Sequence, residues 1–259
     1  MTTPRRRRTE KSGMELDSQY AAEVREKLGF FPVWPPGDAV APGDVGTLRK
    51  GVFRREGTLS DLVGGIELEV TRQPTDQPTR FRSSGCSASQ IHAAGGAPAV
   101  AGVDVKAEMT VTFGAEGGVA FDAERCVEVV VANMLKVRSA IEAQRRAWKA
   151  GYVLVSRVTV AERYAVIISG RAGASVVLQG AADALAQWNI AKAGISATES
   201  NQGGYQRDGD GPILLGLYGF DWMFNLGGGG LKPLSLDQPT PSAETFIELP
   251  ARNPAFDQL

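Results

Sequence analysis

The chain has 259 residues, 43% of them apolar, which is enough for one large domain or two small ones with a real core. Its 28 basic and 29 acidic residues leave a net charge of -1, so bulk charge names no partner. Two cysteines, Cys86 and Cys126, do not make a disulfide framework and fit a reducing cytosol, and a single histidine, His92, excludes paired-histidine metal sites.

Charge is unevenly spread. "PRRRRTEK" at residues 4–11 is strongly cationic, and residues 1–15 read as a basic disordered tail. Such a tail is either solvated or attracted to phosphates of nucleic acid or anionic lipid. No apolar run suited to a secretory leader appears before Phe30, and no stretch reaches the ~18 apolar residues of a membrane helix. The expectation is a soluble cytoplasmic protein.

"DSQYAAEVREKLGF" predicts the first helix, with Asp17 or Ser18 as cap, an apolar stripe of Tyr20, Val24 and Leu28, and Gly29 at the stop. Prolines then break the chain into short extended pieces, with "PGD" and "RKG" supplying turns. "GIELEVT" (65–71) alternates, Ile66, Leu68 and Val70 opposing Glu67, Glu69 and Thr71. A Gly/Ala/Ser-rich stretch (83–102) leads into "VDVKAEMTVTF", where Val103, Val105, Ala107, Met109, Val111 and Phe113 share one face. "GAEGG" is a turn and 119–121 a short strand.

A long helix is predicted from residue 123 to about 149, with Val127, Val130, Val131, Met134, Leu135, Ile141 and Trp148 near a 3.6 period. "YVLVSRVTV" and "RYAVIISG" read as two strands in the buried middle of a sheet. Two weaker alternating segments follow. Val176 and Leu178 share a face in 174–184, and Ala191, Ala193, Ile195 and Ala197 in 190–200. "PILLGLYGF" is a last core strand. Gly227–Gly230 loosen the chain, and Phe246, Ile247 and Leu249 in the Pro/Ser-rich tail want a groove. The architecture expected is α+β: a twisted, mostly antiparallel sheet with an N-terminal helix, one long packing helix and a tail that folds back.

The catalytic inventory is thin. "DGDG" (208–211) lacks the remaining ligands of a calcium loop and reads as a turn, and "GGGG" (227–230) follows no phosphate-binding signature. No Walker, nucleophile-elbow or CxxC pattern occurs, so nothing argues for an enzyme or a cofactor. The alternating strands suit two destinations. A half-buried antiparallel sheet alternates in this way, and so does a membrane-crossing strand of about 9–11 residues. In lipid every backbone group must be paired, so such hairpins would have to be closed by copies of the same chain.

The order of elements resembles the pore-forming domain of gasdermins in their compact bacterial form. The stretches that carry it are "GYVLVSRVTVAERYAVIISGRAGASVVL", "AGISATESNQGG", "GPILLGLYGF" and, upstream, "VAPGDVGTLRKGVF". It covers roughly residues 16–222 and implies a pore-forming domain over 16–226, then a linker and autoinhibitory tail over 227–259. The resemblance implies a non-enzymatic monomer that proteolysis releases, and that then oligomerises and inserts two hairpins into membrane in bacterial anti-phage cell death. The hairpins would fall on parts of 65–113 and on about 174–199. Arg25 and Lys27 would lie near acidic headgroups, the Phe246–Leu249 region would inhibit, and a protease would cut between about Gly227 and Ser242, a window that includes Gly230 and Lys232. Many bacterial gasdermins carry an acylated cysteine near the N-terminus; here the first cysteine is Cys86. The competing expectation is a β-rich interaction module, and a nucleic-acid-binding role would rest on Arg5–Arg8 alone.

Overall fold

The structure, a computed structural model, describes residues 7–75, 79–88, 92–93, 106–186, 189–190, 198–201, 204–220 and 231–233. In chain order its elements are α1 (Arg7–Leu28), β1 (Phe31–Pro32), β2 (Asp44–Arg49), β3 (Val52–Thr58), α2 (Leu59–Leu62), β4 (Val70–Pro74), β5 (Thr79–Arg82), β6 (Cys86–Ala88) and β7 (His92–Ala93). There follow β8 (Lys106–Phe113), β9 (Val119–Val131), α3 (Met134–Ala143) with a 3-10 turn (Arg145–Ala147), β10 (Tyr152–Ile168), β11 (Ser175–Ala181), α4 (Ala182–Ala186), β12 (Thr198–Asn201), β13 (Tyr205–Phe220) and β14 (Leu231–Pro233). The fold is α+β with mostly antiparallel sheets, as expected. One sheet runs β1-β13-β10-β2-β3, with β9 on β10, β4 and β5 on β9, and β14 on β13. The other runs β12-β11-β8-β6, with β7 also on β8.

Two compact units emerge, each assembled from separate stretches of chain. Unit 1 comprises Met1–Glu23, Thr75–Cys126 and Ala161–Gly211, and unit 2 the remainder.

In unit 2 the β2–β3 hairpin turns through Lys50 (φ 52°) and Gly51 (φ 80°), the two positive φ values of a tight turn matched to strand twist. The expected "RKG" turn is therefore present. Around this hairpin β10 buries both faces. Tyr152 and Leu154 join Val45, Leu59, Val131, Val137, Ile141 and Trp148 in one core. Val153, Val155 and Val158 join Phe31, Val33, Phe53, Leu215 and Leu217 in another. Two buried faces are why "YVLVSRVTV" shows so little polar alternation.

Several expected elements differ. Helix α1 begins at Arg7, so Asp17 and Ser18 lie within it rather than at its N-cap, and residues 7–15 are helical where a disordered tail was expected. Good helix formers at Arg7, Arg8, Glu10, Lys11, Met14 and Glu15 extend it, with only Gly13 against. Tyr20 and Val24 are buried, and the helix stops at Gly29 as expected.

The long helix expected from residue 123 is strand up to Val131 and helix only over Met134–Ala143. Val127, Val129, Val130 and Val131 are β-branched and pair with Val70–Pro74, and that pairing outweighs the helical spacing. The two strands expected between 152 and 170 are one strand of 17 residues. "DGDG" lies inside β13 rather than in a turn, with the backbone distorted at Gly211 (φ 117°). Ala182 to Ala184 are helical, not extended.

Ile66 and Leu68 are not in a strand; they pack half-buried on the Val137–Ile141 core. Asn133 holds that stretch instead, its Nδ2 donating to Glu67 O at 2.8 Å and its Oδ1 accepting from Glu69 N at 3.1 Å. The side chain at the start of α3 is thus used to pin 67–69 and makes no cap bond to the helix.

Candidate functional site

The site follows from the alternation in β8 and β11. The two strands pair antiparallel from Ser175↔Thr112 to Ala181↔Lys106, so Met109 faces Leu178 and Val111 faces Val176 on one side. On that side Ala107, Met109, Val111, Phe113, Val176 and Leu178 are buried with Ala120, Ala165, Ile167, Leu185 and Ile190. The other side carries Glu108, Thr110, Thr112, Ser175, Val177 and Gln179, all half-buried or exposed. Across it Gln179 Nε2 donates to Glu108 Oε1 at 2.8 Å, a cross-strand pair at matching register.

Backbone bonds fix the end of this ribbon. Phe113 N donates to Ala174 O at 2.9 Å and Gly173 N to Phe113 O at 2.7 Å. The following turn (114–118) is held by Ser169, whose Oγ donates to Ala115 O at 2.7 Å and whose O accepts from Gly117 N at 2.9 Å. The outer strands of this sheet are short: β6 and β7 on β8, and β12 on β11.

A partly buried charge cluster stands in the same unit. Arg80 Nε donates to Asp122 Oδ1 at 2.5 Å, and its Nη2 to Glu124 Oε1 at 3.2 Å. Arg163 Nη2 donates to Glu124 Oε2 at 3.1 Å, and Asn189 Nδ2 to Glu124 Oε1. Asp122 is 1% exposed, and the Arg80 guanidinium lies against its carboxylate. Sequence reading missed this cluster, since its members lie on four separate segments. The one readable sign is charge inside β9, where Asp122, Glu124, Arg125 and Glu128 stand among apolar residues.

The expected site residues do not all meet. Ala107, Met109, Val111, Phe113, Val176 and Leu178 form one continuous face. Ile66 and Leu68 belong to the core of unit 2, and Val70 opens β4 at 49% exposure rather than sheltered. Val103, Val105, Ala191, Ala193, Ile195 and Ala197 lie outside the described residues, as do Gly227, Gly230, Ser242, Phe246, Ile247 and Leu249. Lys232 is in β14, paired with Gly219. Arg25 is half-buried with its guanidinium 5.1 Å from the Phe31 ring centroid, and burial lowers its pKa. Lys27 is exposed and 2.7 Å from Glu26. Cys86 and Cys126 are free thiols. Among the described residues no group of three or more His, Cys, Asp or Glu is placed to hold a metal, and no helix is long and apolar enough to cross a membrane.

No family model matches the sequence, and no curated protein matches it. The chain is similar to a solved structure, a bacterial gasdermin from Bradyrhizobium tropiciagri, at 15% identity and a TM-score of 0.36, over 90% of this chain and 96% of that one. A likeness at that level names no activity for this chain.

Proposed function

We propose that this protein is an autoinhibited pore former whose β8–β11 layer leaves its core for membrane once the C-terminal segment is cut away. The observation that carries the reading is the division of this ribbon into one wholly apolar face and one mostly polar face, where Val177 is the exception. Fully burying a side chain of the size of Met109, Val111, Phe113, Val176 or Leu178 is worth about 1.5–3 kcal/mol. Pulling those five into water would therefore cost on the order of 10 kcal/mol, by the same area scale. Hydrocarbon removes most of that cost, so the layer has two stable environments, and release of a tail alone does not move it between them.

A ribbon in lipid must also close its edges, so the pore is a ring of copies of this chain with the Glu108–Gln179 face toward water. β8 has 8 residues and β11 has 7, short of the roughly 9–11 that cross a bilayer. Since α4 continues β11 directly, insertion includes its conversion to strand. We further propose that the protein is held in the cytoplasm, acts at the inner face of the cell membrane on acidic lipid, and is activated by a protease acting beyond Pro233. Lys232, inside the Gly227–Ser242 window expected from sequence, is tied into β14, which is why the cut is placed after it.

The test is an engineered protease site between residues 234 and 242, with dye-loaded anionic and neutral vesicles. Dye release on cutting, together with sedimentation of a large oligomer, is the expected result. A cut protein that stays folded and monomeric and leaves both vesicle types intact would reject the reading in favour of an interaction module, in which the same apolar face never leaves the monomer.

A further inference from the structure

The charge cluster of unit 1 joins neighbouring strands of one sheet to a segment outside them. Arg80 on β5, Asp122 and Glu124 on β9, and Arg163 on β10 belong to neighbouring strands of one sheet. Asn189 comes from elsewhere, the segment just after α4. Its backbone N donates to Ala184 O at 2.8 Å, so it closes that helix. Leu185 and Ile190, on either side of it, are buried with Met109 and Leu178 of the ribbon. Helix α4 starts at the residue after β11 ends. A bond from Asn189 to Glu124 therefore ties the end of β11 to the sheet beneath its apolar face.

The balance of charge makes this bond separable. Glu124 keeps both guanidiniums when Asn189 departs, so no carboxylate is left buried and unpaired. The cost of departure falls on the Asn189 amide, 7% exposed, which must find water. We propose that Asn189 and Glu124 form a latch that sets how readily α4 and β11 detach from the β5–β9–β10 strands. The consequence for pore formation rests on the membrane reading above; the latch itself is a property of the protein in solution.

Hydrogen exchange on the uncut full chain tests it. Asn189→Ala should speed exchange of the amides in 175–190 about tenfold, the loss expected for one hydrogen bond to a charged group, and leave the β2–β3 hairpin unchanged. Asn189→Asp sets a second carboxylate against Glu124 and should speed it further. Asn189→Leu, of similar size but without a donor, should speed exchange as much as Asn189→Ala does, an equality that a merely space-filling role would not give. Exchange in 175–190 equal to wild type in Asn189→Ala and Asn189→Asp, or wild-type exchange in Asn189→Leu, overturns the latch. If Asn189→Asp does not fold, Asn189→Ala decides alone.

Vesicle release separates the two ideas. If cut wild type releases dye while the variants exchange as wild type, the latch falls and the pore reading stands. If cut wild type releases nothing while Asn189→Ala loosens 175–190, the pore reading falls and the latch stands.

Discussion

Tyr20 is fully buried in α1, with Tyr205 and Tyr164 near it. Burial, and after it those neighbouring phenols, pushes its pKa far above the usual tyrosine value near 10. The sign is that of a raised folded-state pKa: stability is full below about pH 10 and is lost above it, because only the unfolded chain gives up the proton. The loss approaches ~1.4 kcal/mol per pH unit for one such group. Tyr20→Phe should therefore move the alkaline unfolding midpoint, followed by circular dichroism, to higher pH; an unchanged midpoint would show that another group governs it. At Gly46 the constraint is space. An added Cβ would sit 2.0 Å from the Arg54 carbonyl oxygen, and backbone cannot swing aside as a side-chain tip does. Gly46→Ala should cost roughly 1–3 kcal/mol in denaturant melts, as overpacking does. Neither effect is legible in the sequence: Tyr20 shows as one member of an apolar stripe and Gly46 as a glycine in a strand.

Among elements, what sequence reveals depends on whether the local period has a rival. In β8 and β11 the apolar residues at Met109, Val111, Phe113, Val176 and Leu178 recur every second position, and that face is the buried one. Over 123–131 valines satisfy both a helical and an extended spacing, and the contest is decided by strands β4 and β10, distant in sequence. The same holds at 66–69, where Asn133, more than sixty residues away, supplies the hydrogen bonds a strand partner would have given. The site was thus half legible: its apolar face from periodicity, its charge cluster not at all. Leu178→Ala should cost about 2–5 kcal/mol by cavity formation in urea unfolding. Thr112→Ser, on the exposed side at the same ribbon, should stay within about 0.5 kcal/mol. Equal costs at the two positions would mean that the ribbon is not sided.

For the molecule as a whole, class and the mostly antiparallel arrangement were readable from the alternation and the turn residues. The division into two units was not, because each unit is assembled from stretches such as Thr75–Cys126 and Ala161–Gly211 that no composition change marks. If the pore reading holds, dye release after cutting should fall as salt rises, since attraction to acidic lipid is screened beyond about 10 Å at 0.1 M ionic strength. Release that is insensitive to salt would point to apolar contact alone at the membrane surface.

The three residues of β14 have one more effect. They occupy Tyr218–Phe220 of β13 in register, Phe220↔Leu231 to Tyr218↔Pro233. A tail severed beyond Pro233 would leave this short patch behind, still hydrogen-bonded, so a stretch of β13 open to stray strands stays covered. Freshly clipped protein kept away from vesicles should then remain clear by light scattering, whereas a chain shortened to end before Leu231 should turn cloudy.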